Sequence, residues 1–300
     1  MASGDLMETE ELGIAVVTGA STGIGFASAL ELARRGYKVF AGMRNTSKAE
    51  PLTKVAELEG LGITVVPMDV TSAVSTDAAF TIVRQSGPID VLVNNAGIGG
   101  ATPLELTPEH EHRAIFETNY FGAVRCIQAV LPQMRERRSG TIVNVTSMEG
   151  LVAMPNQIPY SATKWALECL GEALAHEVFR FNIRVVNIEP GVIMTRIFDN
   201  STKATRYDKQ SPYQPIMRRN GKMFKAGFDA NVQPKRVAET IVTAIHAPDY
   251  RLRWPVGEDA EGMFNGRRAI DDEDWIEMGA DLSDEDYNRR YEEYFGIRLS

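Results

Sequence analysis

From Ile14 to about Pro255, short Val- and Ile-rich runs alternate with longer helical patterns. Few folds satisfy that alternation, because runs apolar on both sides need cover on both faces and βαβ crossovers supply it. The runs Ile14–Thr18, Lys38–Met43, Thr64–Met68, Val91–Asn94, Thr141–Val145 and Arg184–Ile188, with a weaker one at Leu252–Val256, predict seven parallel strands. Helices are expected over Gly23–Arg35, Ala49–Glu59, Ala73–Gln85, Pro108–Arg137, Tyr160–Phe179 and Pro234–Ala247. The expected fold class is α/β: a doubly wound, parallel seven-stranded sheet with helices on both faces, forming one domain over 14–256 after a leader of 1–13.

Two segments break the rhythm. Met194–Gln233 is long, basic and weakly periodic, and a loop of that length in a compact domain reads as a lid. Its Met194, Ile197, Phe198, Tyr207, Tyr213, Ile216, Met217, Phe224 and Phe228 either enclose an apolar molecule or anchor the segment. Arg218, Arg219, Lys222 and Lys225 either meet an anionic ligand or are solvated. Gly257–Ser300 is dense in acids and aromatics but poor in aliphatic residues, so it reads as a partly helical C-terminal extension without a core of its own.

The net charge of −8 argues against nucleic acid or an anionic membrane surface as partner, since such binders need positive potential over the contact. Cys126 and Cys169, both within helical patterns, make a disulfide framework or cysteine metal site a poor reading and fit a reducing, cytoplasmic setting. No metal site is expected, as His110, His112, His176 and His246 lack ligand spacing. Neither a signal peptide at Met1–Gly13 nor an integral membrane span is expected.

The first strand runs into Thr18-Gly19-Ala20-Ser21-Thr22-Gly23-Ile24-Gly25 and then an Ala/Leu-rich helix. Glycines here allow a tight turn and let backbone N–H groups approach a pyrophosphate, with the helix N-terminus supplying positive potential. Gly19, Ser21, Thr22, Gly23, Ile24 and Gly25 are therefore the candidate phosphate cradle. The second strand closes Ala41-Gly42-Met43-Arg44 without the acid that would accept a ribose 2′-hydroxyl. That leaves room for a 2′-phosphate on the Arg44 guanidinium, hence NADP(H) as preferred cofactor, with NAD(H) the alternative if Arg44 is only a solvated loop residue. Asp69, beside Val70, either accepts from an adenine amino group or caps the helix after Thr71.

Ser147 ends a buried strand, and Tyr160 and Lys164 lie four apart on one helix face. A free phenol is a poor base at neutral pH, so the reading gives Lys164 the role of lowering the tyrosine into working range. Together these motifs resemble the short-chain dehydrogenase/reductase family, in its compact single-domain branch. The likeness rests on Thr18–Gly25, Asn94-Asn95-Ala96-Gly97, Asn119, Ser147, Tyr160, Lys164 and Pro190-Gly191 followed by Thr195, and covers about Ile14 to Val256. It implies a Rossmann fold and hydride transfer between a nicotinamide and a carbonyl or secondary alcohol. By the same resemblance Tyr160 exchanges the proton, Ser147 bonds the substrate oxygen and Lys164 binds the nicotinamide ribose. Asn119 holds a relay water, Asn95, Ala96 and Gly97 line the cofactor, and Pro190, Gly191, Val192 and Thr195 fix its carboxamide end. The long lid places the chain nearest members acting on steroids, retinoids or similar hydrophobic molecules. A 3-oxoacyl thioester reductase, or a silent cofactor sensor needing the phosphate turn but not the proton-transfer set, are the alternatives. Family members commonly pair through the two helices Pro108–Arg137 and Tyr160–Phe179, so a homodimer or homotetramer is expected.

Overall fold

The computed structural model describes residues 12–195 and 210–300. Seven strands, β1 Gly13–Thr18, β2 Tyr37–Met43, β3 Ile63–Pro67, β4 Ile89–Asn94, β5 Gly140–Val145, β6 Ile183–Pro190 and β7 Arg253–Val256, form one sheet in the order β3-β2-β1-β4-β5-β6-β7. Every pairing is parallel. The five inner strands are buried on both sides, which is why they read as largely apolar runs rather than alternating ones. Alternate residues of β1 show the two layers: Ala15 and Val17 face one core with α1 Gly23–Arg34, α2 Glu50–Glu59 and the later helix Pro234–His246. Ile14 and Val16 face another with α3 Ala73–Arg84, α5 Gly122–Arg137 and α6 Ile158–Val178. Strand order reverses between β1 and β4, and the crevice outside the carboxyl ends there is where a doubly wound sheet binds ligands.

The expected single helix over Pro108–Arg137 is interrupted. α4, Glu109–Phe116, passes through a π-turn at Glu117–Phe121 before α5 begins, and single π-turns inside helices recur at functional sites. A second difference is α7, Gln214–Asp229, in the segment expected to be a loop. Its buried residues are Arg219, Asn220, Met223 and Gly227, two of them polar, so the face turned inward is not the continuous apolar stripe by which a helix is read. Ile197, Phe198 and Tyr207 lie outside the described residues.

After α8, Pro234–His246, and β7, the extension folds as α9 Glu258–Ala269, α10 Asp272–Glu277 and α11 Asp284–Phe295. It solves its shortage of aliphatic residues by sharing a third core: Met263, Tyr287, Tyr291 and Phe295 pack with Met223 of α7 and with Met148, Val152, Met154 and Val192. The basic residues of the lid are held by this extension. Arg218 and Lys222 pair with Asp284, Arg219 donates to the carbonyls of Ala280 and Leu282, and Lys225 reaches Asp229 and Ser300. Arg218, Arg219 and Lys222 thus bind the tail, whereas Lys225, paired mainly within α7 and 58% exposed, is largely solvated.

Candidate active site

A cleft of about 470 Å³ runs along the carboxyl edge of the sheet from the glycine turn to Tyr160. Gly19, Ser21, Thr22, Gly23, Ile24, Arg44, Asp69, Val70, Asn95, Ala96, Gly97, Ser147, Tyr160, Lys164, Pro190, Gly191 and Thr195 all line it. Three expected residues do not. Gly25 is buried under the turn, where a Cβ would stand 2.4 Å from Asn95 Nδ2 and 2.5 Å from the Gly19 carbonyl, so its part is close packing. Gly25→Ala should therefore cost about 1–3 kcal/mol of stability in urea unfolding, the usual effect of overpacking. Val192 faces the third core, and Asn119 lies behind the cleft wall.

At the phosphate end the cradle fits a dinucleotide. Gly19 has φ +67, and a Cβ on it would lie 2.8 Å from the Ala96 Cα. Thr22 makes no side-chain cap and α1 has no acid in its first turn, so the helix presents free N–H groups to the cleft. Asn95 secures the turn by donating to the Thr18 and Gly19 carbonyls at 2.8 and 3.2 Å, while the Asn95 and Ala96 N–H groups donate to Thr18 Oγ1. Asn94 instead starts a buried ladder to Asn144, Asn187 and Glu168. The rim beyond β2 carries Arg44 and, one short 3-10 turn on, Lys48, a second cation that motif reading missed although its spacing from Arg44 was visible. Asp69 accepts from the Thr71 N–H and hydroxyl at 3.0 and 2.8 Å, and the α3 cap expected of it belongs to Ser72. Burial alone would raise the Asp69 carboxyl; Thr71, with Arg44 nearby, holds it below the usual range.

At the other end β5 delivers Ser147 and α6 delivers Tyr160 and Lys164. Ser147 and Tyr160 line the same end of the cleft, where the serine hydroxyl favours ionisation of the phenol. Lys164, 5% exposed, donates to the Val145 carbonyl at 2.8 Å and stands 5.5 Å from the Tyr160 ring centre. Burial pulls the Lys164 ammonium down to about 8, against the carboxyls of Glu149 and Glu168. The expected depression of Tyr160 is not found in the protein alone. Burial raises the phenol above its ordinary value, the Glu149 carboxyl adds to this, and the Ser147 hydrogen bond opposes it. Asn119, fixed by the π-turn, accepts from the Ile98 N–H at 2.8 Å and donates to the Ile98 carbonyl and Thr163 Oγ1 at 3.0 and 3.1 Å. Thr163 in turn donates to the Tyr160 carbonyl at 2.7 Å. Both amide protons of Asn119 are thus spent on protein, and its side chain braces the cofactor loop against the Tyr160 turn.

The short chain dehydrogenase profile matches residues 13–206. The chain belongs to that family. It is 34% identical over 252 residues to the 3-ketodihydrosphingosine reductase of Bacteroides thetaiotaomicron, covering 84% of this chain and 90% of that protein. It is 41% identical over 184 residues to bovine retinol dehydrogenase 8, covering 60% of this chain but 59% of that protein. A solved short-chain dehydrogenase from Streptomyces avermitilis superposes with a TM-score of 0.77 at 33% identity, over 87% of this chain and 93% of that one. The chain is accordingly an oxidoreductase of the short-chain dehydrogenase type acting on CH–OH donors.

Asp259, from the extension, is a cleft-supporting residue that motif reading did not single out. It accepts from the Val192 N–H at 2.6 Å, and Gly191 is pressed against it so closely that a Cβ there would fall 2.0 Å from Asp259 Oδ1. Its signal in the sequence, an acid just after β7, was lost among the many acids of the tail.

Proposed function

We propose that this short-chain dehydrogenase reduces a carbonyl on a hydrophobic substrate, of ketone, steroid-like or retinoid-like character, with NADP(H) as cofactor. The observation that carries the reading is that Ser147, Tyr160 and Lys164 together line one end of a cleft whose other end is the uncapped helix and Arg44. The bound nicotinamide supplies the hydride. Gly19 to Ile24 would hold the pyrophosphate, Arg44 with Lys48 the 2′-phosphate, and Lys164 the nicotinamide ribose, while Pro190, Gly191 and Thr195 border the carboxamide end. Ser147 orients the substrate oxygen, and Tyr160 gives it a proton from the phenol oxygen. A phenol raised above its ordinary value stays protonated at neutral pH, which suits the acid needed for reduction.

The thioester alternative rested on a basic lid, and those cations are engaged by the extension. A silent sensor would have no use for Ser147, Tyr160 and Lys164 brought together at the end of the cleft. The two relatives named above are, by name, a 3-ketodihydrosphingosine reductase and a retinol dehydrogenase, which supports a hydrophobic substrate here. The test is turnover of a panel of hydrophobic ketones with NADPH and NADH. NADPH-dependent reduction supports the reading; cofactor binding without turnover on the panel refutes it. Arg44→Ala should raise KM for NADPH about ten-fold, the scale of one exposed charge-assisted contact, while KM for NADH stays within about two-fold. Equal effects on both cofactors would remove the 2′-phosphate assignment.

The proposal extends to assembly and setting. Phe121 and Trp165, 46% and 49% exposed, lie on the π-turn and α6, the faces through which a homodimer or homotetramer would form. Cys126 and Cys169 are free thiols, in keeping with a reducing cytoplasm. Among the described residues no helix is long and apolar enough to cross a membrane.

A further inference from the structure

Two residues beyond Ser147, Glu149 sits on the short turn Met148–Gly150 and is 3% exposed. A carboxyl so deep needs an answering group, because burying an unpaired polar or charged side chain is costly. Its Oε2 accepts the Ser161 hydroxyl at 2.6 Å, and Ser161 directly follows Tyr160 in α6. Its backbone N–H donates to Ser147 Oγ at 3.1 Å. One residue therefore grips both the strand end that presents Ser147 and the helix turn that presents Tyr160. The Met154 N–H donates to Ser161 Oγ at 3.4 Å, leaving the hydroxyl proton for the carboxyl. The titratable groups facing Glu149 are Tyr160 and Lys164 from α6 and Tyr291 from α11; Glu168, one turn along α6, shares Lys164 with it.

We propose that Glu149 is a positioning residue for proton transfer, whose carboxyl, aimed by Ser161, keeps the Tyr160 phenol protonated and the Lys164 ammonium charged in alkaline solution. This rests on the reading of Tyr160 as the proton donor. Burial raises the Glu149 carboxyl to about 8, against the Ser161 hydroxyl and Lys164. Below that pH the group is neutral and serves as a hydrogen-bond partner. Above it, the carboxylate opposes loss of the phenol proton and favours the ammonium. Both effects preserve the acid form that protonates a substrate oxygen. A glutamine at this position keeps the shape of the neutral acid and loses the ability to ionise.

The test is kcat/KM for ketone reduction with NADPH in wild type and Glu149→Gln, from about pH 6 to about pH 10. The ratio of wild-type to mutant activity should climb with pH, with the mutant's alkaline limb falling about one pH unit earlier, a roughly ten-fold deficit at a shared alkaline pH. Glu149→Asp, which keeps an ionisable group, should bring the limb back toward the wild-type position. A ratio that stays constant across the range would mean a merely structural role and would overturn the proposal. If the glutamine variant does not fold, Ser161→Ala, which unties the carboxylate, should move the limb the same way; an unmoved limb there also overturns it. Absence of NADPH-dependent turnover in wild type would instead fail the functional reading. In that event carbon NMR of ring-labelled tyrosine, with the Tyr160 signal identified by its loss in Tyr160→Phe, decides the question. Earlier onset of Tyr160 ionisation in Glu149→Gln supports the proposal, and an identical onset overturns it.

Discussion

Replacing Tyr160 by phenylalanine should lower kcat/KM for carbonyl reduction by about 10²- to 10⁴-fold, the range that a positioned general acid contributes. Affinity for NADPH should change little. The ring sits in α6 with its backbone carbonyl held by Thr163, so removing one oxygen leaves the wall of the cleft standing. What disappears is the phenol hydroxyl, the proton donor of the proposed reaction. Steady-state kinetics together with cofactor titration by fluorescence separates the two quantities. A mutant that keeps wild-type kcat/KM would show that the substrate oxygen takes its proton elsewhere and would remove Tyr160 from the chemistry.

The largest expected effect on stability lies far along the chain. Tyr291 is fully buried, its hydroxyl lies 2.9 Å from Met263 Sδ, and its ring centre is 4.8 Å from that of Phe295 and 5.9 Å from that of Tyr287. Truncation to alanine should cost about 3–5 kcal/mol, as large-to-small changes of a buried aromatic do. Ile276→Ala in the same extension, at a side chain 72% exposed, should fall within about 0.5 kcal/mol of wild type. Urea denaturation of both variants checks the pair. A small cost at Tyr291 would mean that the extension is draped over the domain without sharing its interior.

The sheet was legible because parallel strands covered on both faces must be largely apolar, and the five inner strands meet that demand while the edge strands β3 and β7 are only partly buried. The catalytic end was legible for a related reason: Ser147 at a strand end and Tyr160 with Lys164 on one helix face satisfy geometric requirements that spacing alone expresses. What escaped detection depended on partners distant in the chain. Helix α7 hides because its inward face carries Arg219 and Asn220, polar residues that find acceptors on the extension and on the Pro155 carbonyl. Asp259 reads as one acid among many until the fold brings it to the Val192 N–H. The rise of the Tyr160 phenol in the protein alone was not legible, because the spacing shows the lysine beside it but not its burial or the carboxyl of Glu149. Glu149 itself did carry a signal, as the one charged residue in the stretch Val143–Met154.

The π-turn at Glu117–Phe121 makes chain length a determinant of the site in its own right. On a solvated helix a one-residue deletion merely slides the pattern along. Here it would close the bulge to ordinary α-helix and swing every later side chain by about 100° about the axis. The Asn119 amide would then face away, leaving the Ile98 N–H and the Thr163 hydroxyl to find other partners. Among homologues, gaps inside this helix should therefore be counterselected more strongly than most substitutions, and an alignment that opens one there is more reasonably corrected than believed.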